Sequence, residues 1–330
     1  MFQFHEFFEL QGGLSGLAGK FPPNYMGAVV QGQALGGIFA AASNVIILSF
    51  GANDVDAAFY DFLIAVIFLV SALIAFIVLT RSEFYQFYSN ETVSENKDAE
   101  DKKENVENEQ LIDNNGEGGK VEVLQPMSSL DIVKRIWVWI LSVFICFFVT
   151  LAVFPAITVL VKSTGHGNQW SDKYFIPVGC FLVFNIGDYV GRMLASIVKW
   201  PQATHGGSLI ILIVSVVRIA FIPLFLLCNA APHSRSVTDV RFFYLQHFFT
   251  FLNCFFFFMQ VYIPSDTAYL IFMVIFSISN GYIGSIAMMY GPKMLQNGVD
   301  QGRAASFLVS FLVLGLAVGA AMSGLIVQLL

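Results

Sequence analysis

Seven apolar runs, each long enough to cross a bilayer as a helix, set what this 330-residue chain can become. They occupy residues 25–50, 57–79, 136–161, 174–198, 208–228, 268–290 and 304–329, with a shorter apolar piece at 7–19 and a Phe-rich one at 242–263. No water reaches backbone N–H and C=O groups inside a bilayer, so only helices and closed barrels satisfy them. Barrel strands alternate apolar and polar residues, and these runs do not. Of all residues 56% are hydrophobic and 12% charged, against about 25% charged in an ordinary soluble domain. The expected fold class is an all-α polytopic membrane protein.

One run carries charge where lipid penalises it. YFIPVGCFLVFNIGDYVGRMLASIVKW, residues 174–200, holds Asp188 and Arg192 near its middle, with no other charge between Lys173 and Lys199. On insertion scales each such charge costs roughly 2.5–3.5 kcal/mol at a helix centre. At i and i+4 the two can meet on one face and neutralise each other. At about 100° per residue, Phe181, Asn185, Asp188 and Arg192 fall in one stripe. An aromatic, an amide, an acid and a base on one face suit a flat, polar, uncharged ligand: ring to stack, carboxylate and amide to bond hydroxyls, guanidinium to donate as a planar fork. The competing reading is a structural ion pair locking two helices.

Residues 81–129 break the pattern. They hold 12 Asp/Glu and 5 Lys/Arg, a net of −7 against −6 for the whole chain. Such a composition marks a disordered, solvated linker. It divides the chain into 1–80, part of one helical bundle, and 130–330, a second bundle with an atypical Phe-rich insertion at 241–261. With the linker inside, Lys20, Arg81, Lys134, Arg135, Lys199, Lys293 and Arg303 all fall on the cytosolic side, as basic residues favour. Asn90 of the NET sequon then faces the cytosol and is expected to stay unglycosylated. Trp137, Trp139, Trp170 and Trp200 stand at run ends, where rings favour the interface. Ser128 before Asp131 offers a capping box. Gly12/Gly16, Gly32/Gly36, Gly187/Gly191 and Gly315/Gly319 have the spacing of close helix crossings. Pro155, Pro177 and Pro223 lie inside runs and predict kinks.

Enzyme signatures are missing. No GxxxxGK[ST] is present for ATP, no HExxH for zinc, and GLSGLAG lacks the GxSxG spacing. Cys146, Cys180, Cys228 and Cys254 sit in or beside apolar runs without CxxC spacing and read as small packing residues. No cofactor, no metal and no nucleic-acid partner is implied. No basic region opens the chain as in a cleavable signal peptide: its first ten residues carry Glu6 and Glu9.

The stretch KYFIPVGCFLVFNIGDYVGR with its following KWPQ resembles the eighth helix of equilibrative nucleoside transporters. LQGGLSGLAG at 10–19, QGQALGG at 31–37, RSEFYQFY before the acidic linker, FPAITVLVKS at 154–163, IFMVIFSISNGYIGSIAMMYGPK at 271–293 and FLVLGLAVGAAMSG at 311–324 resemble the same family, in family order. The resemblance implies eleven spans with a cytosolic linker between the sixth and seventh, and an MFS-like arrangement. It also implies facilitative nucleoside uniport by alternating access and no enzymatic activity, with nucleosides or nucleobases as substrate, the lipid bilayer as surroundings and the plasma membrane as location. It makes Asp188 and Arg192 the acid and base that hold the ribose, with Phe181 and Asn185 lining the same face. Gly32 and Gly37 match fifth-helix glycines tied to transport, and Gln11 a fourth-helix glutamine that binds the base.

Two departures accompany the resemblance. The chain begins in what would be the fourth helix, so the first three spans are expected to be missing, and MFQFHEFFEL, residues 1–10 with His5, does not resemble the family. RFFYLQHFFTFLNCFFFFMQ, at 241–260, reads as a translated intron ending in a polypyrimidine tract. The alternatives are a truncated membrane protein that does not transport, and a seven-helix receptor. A receptor is expected to carry extracellular cysteines and to lack a central acid–base pair.

Overall fold

The computed structural model describes residues 23–50, 54–83, 85–87, 127–165, 167–228, 265–296 and 298–329. Seven of its helical segments are long and apolar enough to cross a membrane: Gly27–Ser49, Ala58–Thr80, Ser129–Leu160, Trp170–Val198, His205–Leu227, Asp266–Met294 and Val299–Gln328. They coincide with the seven apolar runs, and the chain is an all-α polytopic membrane protein. Its elements are α1 (Pro23–Ser49), α2 (Asp54–Thr80), α3 (Ser129–Val153), α4 (Val183–Val198), α5 (His205–Val217), α6 (Phe221–Leu227), α7 (Asp266–Tyr290) and α8 (Gly298–Leu329). Gln11, Asn90, Cys254, most of the acidic linker (88–126) and the Phe-rich 241–261 lie outside the described residues.

Each proline inside a span marks a change of winding rather than a bend in a continuous α-helix. α3 stops at Val153 because the residue before Pro155 is driven from the helical region, and Phe154 is extended. The chain resumes as a tight 3₁₀ turn, Thr158–Leu160. Pro177 has no N–H for an i→i−4 bond, and the segment around it, Trp170–Leu182, is wound as a wider π-helix that runs directly into α4. Before Pro223 the chain breaks from α5 into a 3₁₀ turn, Arg218–Ala220, and then forms α6.

Small residues decide which helices pack. α3 against α8 and α4 against α7 are the two most extensive contacts. A Cβ on Gly315 or Gly319 would lie 2.6 Å from the Phe144 carbonyl oxygen or 2.5 Å from that of Phe148, so α8 meets α3 backbone to backbone. Gly191 does the same for α4 on α7, where a Cβ would fall 2.1 Å from the Ile278 oxygen, and Gly187 makes room for the Ser277 side chain, whose Oγ a Cβ would meet at 1.9 Å. The Gly32/Gly36 pair does not behave as its spacing predicts, since a Cβ at either would meet nothing within 4 Å among the described residues. α1 approaches α4 through Gly37 and Gly27 instead.

Two buried apolar clusters hold the arrangement. Ile136, Val143, Ile283 and Leu308 belong to one, and Val149, Phe175, Phe225 and Phe276 to the other. Trp139, expected at the interface, is 1% exposed within the first cluster, whereas Trp137, Trp170 and Trp200 are exposed. Position along a helix does not fix its face, and residue 139 turns inward two residues after outward-facing Trp137. Cys146, Cys180 and Cys228 are buried and free, as packing residues are. Ser128 stands at the N-cap position without a side-chain cap bond, so the capping box does not form. α8 holds this entrance instead: Met127 N donates to Asp300 Oδ2 at 3.1 Å, and Arg303 Nη1 donates to the Met127 oxygen at 2.7 Å. α2 packs on α1 and leaves Phe62, Leu69 and Val78 on an apolar outer side.

Candidate functional site

The α4–α7 crossing brings the charged stripe to an amide on the next helix. Asp188 is 6% exposed. Its Oδ2 accepts from Arg192 Nε at 2.7 Å, one helical turn away. Its Oδ1 accepts from Asn280 Nδ2 of α7, also at 2.7 Å. A carboxylate in hydrocarbon must be paired and fully hydrogen-bonded to be tolerated, and here both oxygens are engaged. Arg192 donates a second bond from Nη1 to the Val30 carbonyl of α1 at 3.3 Å. A guanidinium has five N–H donors, so among the described residues Arg192 keeps donors for a further acceptor.

The other predicted residues fall on both sides of this pair. Asn185 Nδ2 donates to the Phe181 carbonyl at 2.8 Å, and its Oδ1 faces Gly37, where a Cβ would lie 2.1 Å away. Phe181 packs edge-on against Phe154, ring centroids 5.6 Å apart, in the π-wound segment that precedes α4. Gly32 meets none of the described residues. Toward the Lys199 end, Gln31 Nε2 donates to Ser196 Oγ at 3.0 Å. Thus Arg192, Asn185 and Gly37 come together along the α1–α4 seam, Asp188 is tied to them through Arg192 while facing Asn280 of α7, and Gly32 does not join them.

Behind Asp188 the polar chain continues across the bundle. Asn280 Oδ1 lies 2.6 Å from Thr150 Oγ1 of α3, and Thr150 Oγ1 accepts from Arg218 Nη2 at 2.8 Å. Arg218 also bonds the Phe276 carbonyl at 2.7 Å and Ser279 Oγ, and its guanidinium lies 4.6 Å from the Phe276 ring centroid. It is 1% exposed. Sequence reasoning passed over Arg218, Asn280 and Thr150. Arg218 had a signal, a single charge inside an apolar run, the same one that exposed Asp188. The two neutral residues had none, because periodicity relates residues within one helix and not across three.

What this arrangement can do chemically is bind a neutral, hydroxyl-bearing ligand. A carboxylate and a guanidinium fork side by side offer an acceptor and donors to adjacent hydroxyls at no net charge.

A family model described as nucleoside transporter matches residues 9–328. Human equilibrative nucleoside transporter 1 is 33% identical over 322 residues, covering 95% of this chain and 64% of that protein. Human equilibrative nucleoside transporter 2 is 28% identical, covering 97% and 69%. Equilibrative nucleotide transporter 1 of Arabidopsis thaliana is 25% identical, covering 94% and 58%. The chain therefore spans just under two thirds of the length of the first of these relatives.

Proposed function

This chain belongs to the nucleoside transporter family, and on that premise we propose that it carries nucleosides across a membrane, down their gradient, by alternating access. The observation that carries the reading is the buried Asp188–Arg192 pair with Asn280 on its far side. In this reading the carboxylate accepts from one ribose hydroxyl while Arg192 donates to its neighbour. Asn185 and Phe181 extend the same wall toward the base, with Gly37 giving the room beside Asn185. Gln11 and Gly32 complete the proposed substrate-binding set on the strength of the family resemblance. The plasma membrane is the proposed location. A nucleobase lacking ribose would forgo the Asp188–Arg192 contacts.

Alternating access needs a seam that opens, and α1 against α4 is the one this reading uses. Among the described residues, two polar contacts tie the two helices beside the pair: Arg192 to the Val30 carbonyl at 3.3 Å and Gln31 to Ser196 at 3.0 Å. The α4–α7 crossing, built on glycines, stays rigid beneath the site. Parting α1 from α4 exposes Arg192 first and Asp188 next.

A second reading has its own support. Both Asp188 oxygens are already bonded within the protein, as they would be in a structural lock between α4 and α7. Uptake of labelled uridine or adenosine by cells expressing the full chain, against cells that do not, tests the carrier. Surface expression with no uptake of either nucleoside would overturn it.

A further inference from the structure

We propose that Arg218 is a positioning residue for Asp188, acting through Thr150 and Asn280 to hold the carboxylate in the orientation that grips the sugar. The proposal rests on the carrier reading above.

Arg218 is a poor choice for a structural lock. Among the described residues no carboxylate lies within salt-bridge distance of it, and its partners are the Phe276 carbonyl, Ser279, Thr150, Asn280 and a ring face. A buried guanidinium without an anion is held at the cost of its desolvation. Serine, threonine or small residues would tie α5 to α7 without that penalty.

What a guanidinium does here that a small residue cannot is fix the direction of an amide. Asn280 can present either its oxygen or its NH₂ to Asp188, and only the NH₂ can bond a carboxylate. Arg218 Nη2 points donors at Thr150 Oγ1 (2.8 Å) and at Asn280 Oδ1 (3.5 Å). Arg218 cannot accept, so the group it faces must be an oxygen. Thr150 accepts from Arg218, which leaves its single proton for Asn280 Oδ1 at 2.6 Å or for the Cys146 carbonyl at 2.8 Å. Cys146 adds an S–H donor 3.5 Å from Asn280 Oδ1. Arg218 Nη2 can only donate, and Thr150 Oγ1 and Cys146 Sγ are both placed to donate to the same oxygen, so the amide oxygen is favoured there and the NH₂ is directed at Asp188. A flipped amide would set NH₂ against the guanidinium and oxygen against the carboxylate. The order Arg218, Thr150, Asn280, Asp188, Arg192 is thus a chain in which each member sets the orientation of the next.

The test uses the full chain in cells without nucleoside uptake of their own. Initial rates for uridine and 3′-deoxyuridine give KM and Vmax, normalised to surface protein. Thr150→Val keeps the shape and removes the link. Arg218→Lys keeps the charge and removes the fork. Ser279→Ala removes an Arg218 contact that leads away from Asp188. The expected result is a rise of about tenfold in uridine KM for Thr150→Val and for Arg218→Lys, as for a lost hydrogen bond to a charged group. The preference for uridine over 3′-deoxyuridine shrinks with it, and Ser279→Ala keeps the wild-type KM. The double variant Arg218→Lys/Thr150→Val is no worse than either single one, because both break the same chain. If Arg218→Lys does not reach the surface, Thr150→Val carries the test alone. Unchanged KM and unchanged discrimination, with effects confined to the amount of surface protein, would overturn the positioning role while leaving the carrier intact. Wild-type protein at the surface that moves no nucleoside would overturn the carrier reading, and this role with it.

Discussion

Gly281 of α7 lies so close to Asp188 of α4 that a Cβ on the glycine would sit 1.9 Å from the Asp188 carbonyl oxygen and 2.8 Å from its carbonyl carbon. The atoms in the way are backbone, which cannot swing aside as a side-chain tip would. The same contact sets Asn280, the preceding residue, within 2.7 Å of the Asp188 carboxylate. Close crossing and polar contact are therefore one feature.

Gly281→Ala is expected to force the two helices apart, with a loss of about 1–3 kcal/mol typical of overpacking. Its melting temperature in detergent falls and its surface level drops. Gly36→Ala, at a glycine with open space around it, is expected to match wild type in both measurements. Equal melting of Gly281→Ala and wild type would mean that the crossing is looser than the structure has it.

Removing one member of the Asp188–Arg192 pair separates grip from lock. Asp188→Asn keeps the shape and leaves Arg192 without its anion. Arg192→Ala leaves the carboxylate with Asn280 alone. Breaking a fully buried pair costs about 3–5 kcal/mol, and the Arg192 side chain, 16% exposed, softens that figure. Both variants are expected at the surface with uridine uptake at least a hundredfold below wild type, a loss of about 2.7 kcal/mol of binding in each. Surface protein and uptake that fall together would favour the lock.

Much of this architecture is legible in the chain because lipid imposes strict terms. Seven apolar runs give seven spans, since length and apolarity alone decide whether a helix can cross. Asp188 and Arg192 stand out for the same reason. Three things stay hidden. Pro177 announces a disturbance but not its form, the wider winding of a segment that lies at Gly179 against Tyr269 and Leu270 of α7. Trp139 meets the rule for interface aromatics by its place along the run, yet its face is set by α8 and by Gly291. Thr150 and Asn280 are ordinary neutral residues until α3 and α7 cross. Gly32/Gly36 shows the converse, a spacing that matches a crossing with no helix there to cross among the described residues.

The outer side of α2 gives a test of how the chain meets lipid. Leu69 is 71% exposed near the middle of the Ala58–Thr80 span. Leu69→Ala is expected to leave surface level and uptake unchanged. Leu69→Arg places a charge in hydrocarbon with no partner and raises the cost of insertion by roughly 2.5–3.5 kcal/mol. A glycosylation reporter for membrane insertion then shows a large fall for the arginine variant alone. Efficient insertion of Leu69→Arg would mean that this side of α2 faces protein or water.

The α1–α4 seam can be pinned shut. A Cβ on Gly27 would lie 3.8 Å from Ser196 Oγ, which brings the two positions close enough for a disulfide after a small side-chain and backbone adjustment. Gly27→Cys with Ser196→Cys is therefore expected to cross-link under mild oxidation. If nucleosides pass by parting these helices, the cross-link stops uptake and dithiothreitol restores it. Each single cysteine variant is expected to keep its uptake under the same oxidant, which separates the bridge from damage to Cys146, Cys180 or Cys228. A chain that is fully cross-linked and still carries uridine would show that α1 and α4 move as one body, and the opening seam would have to lie elsewhere.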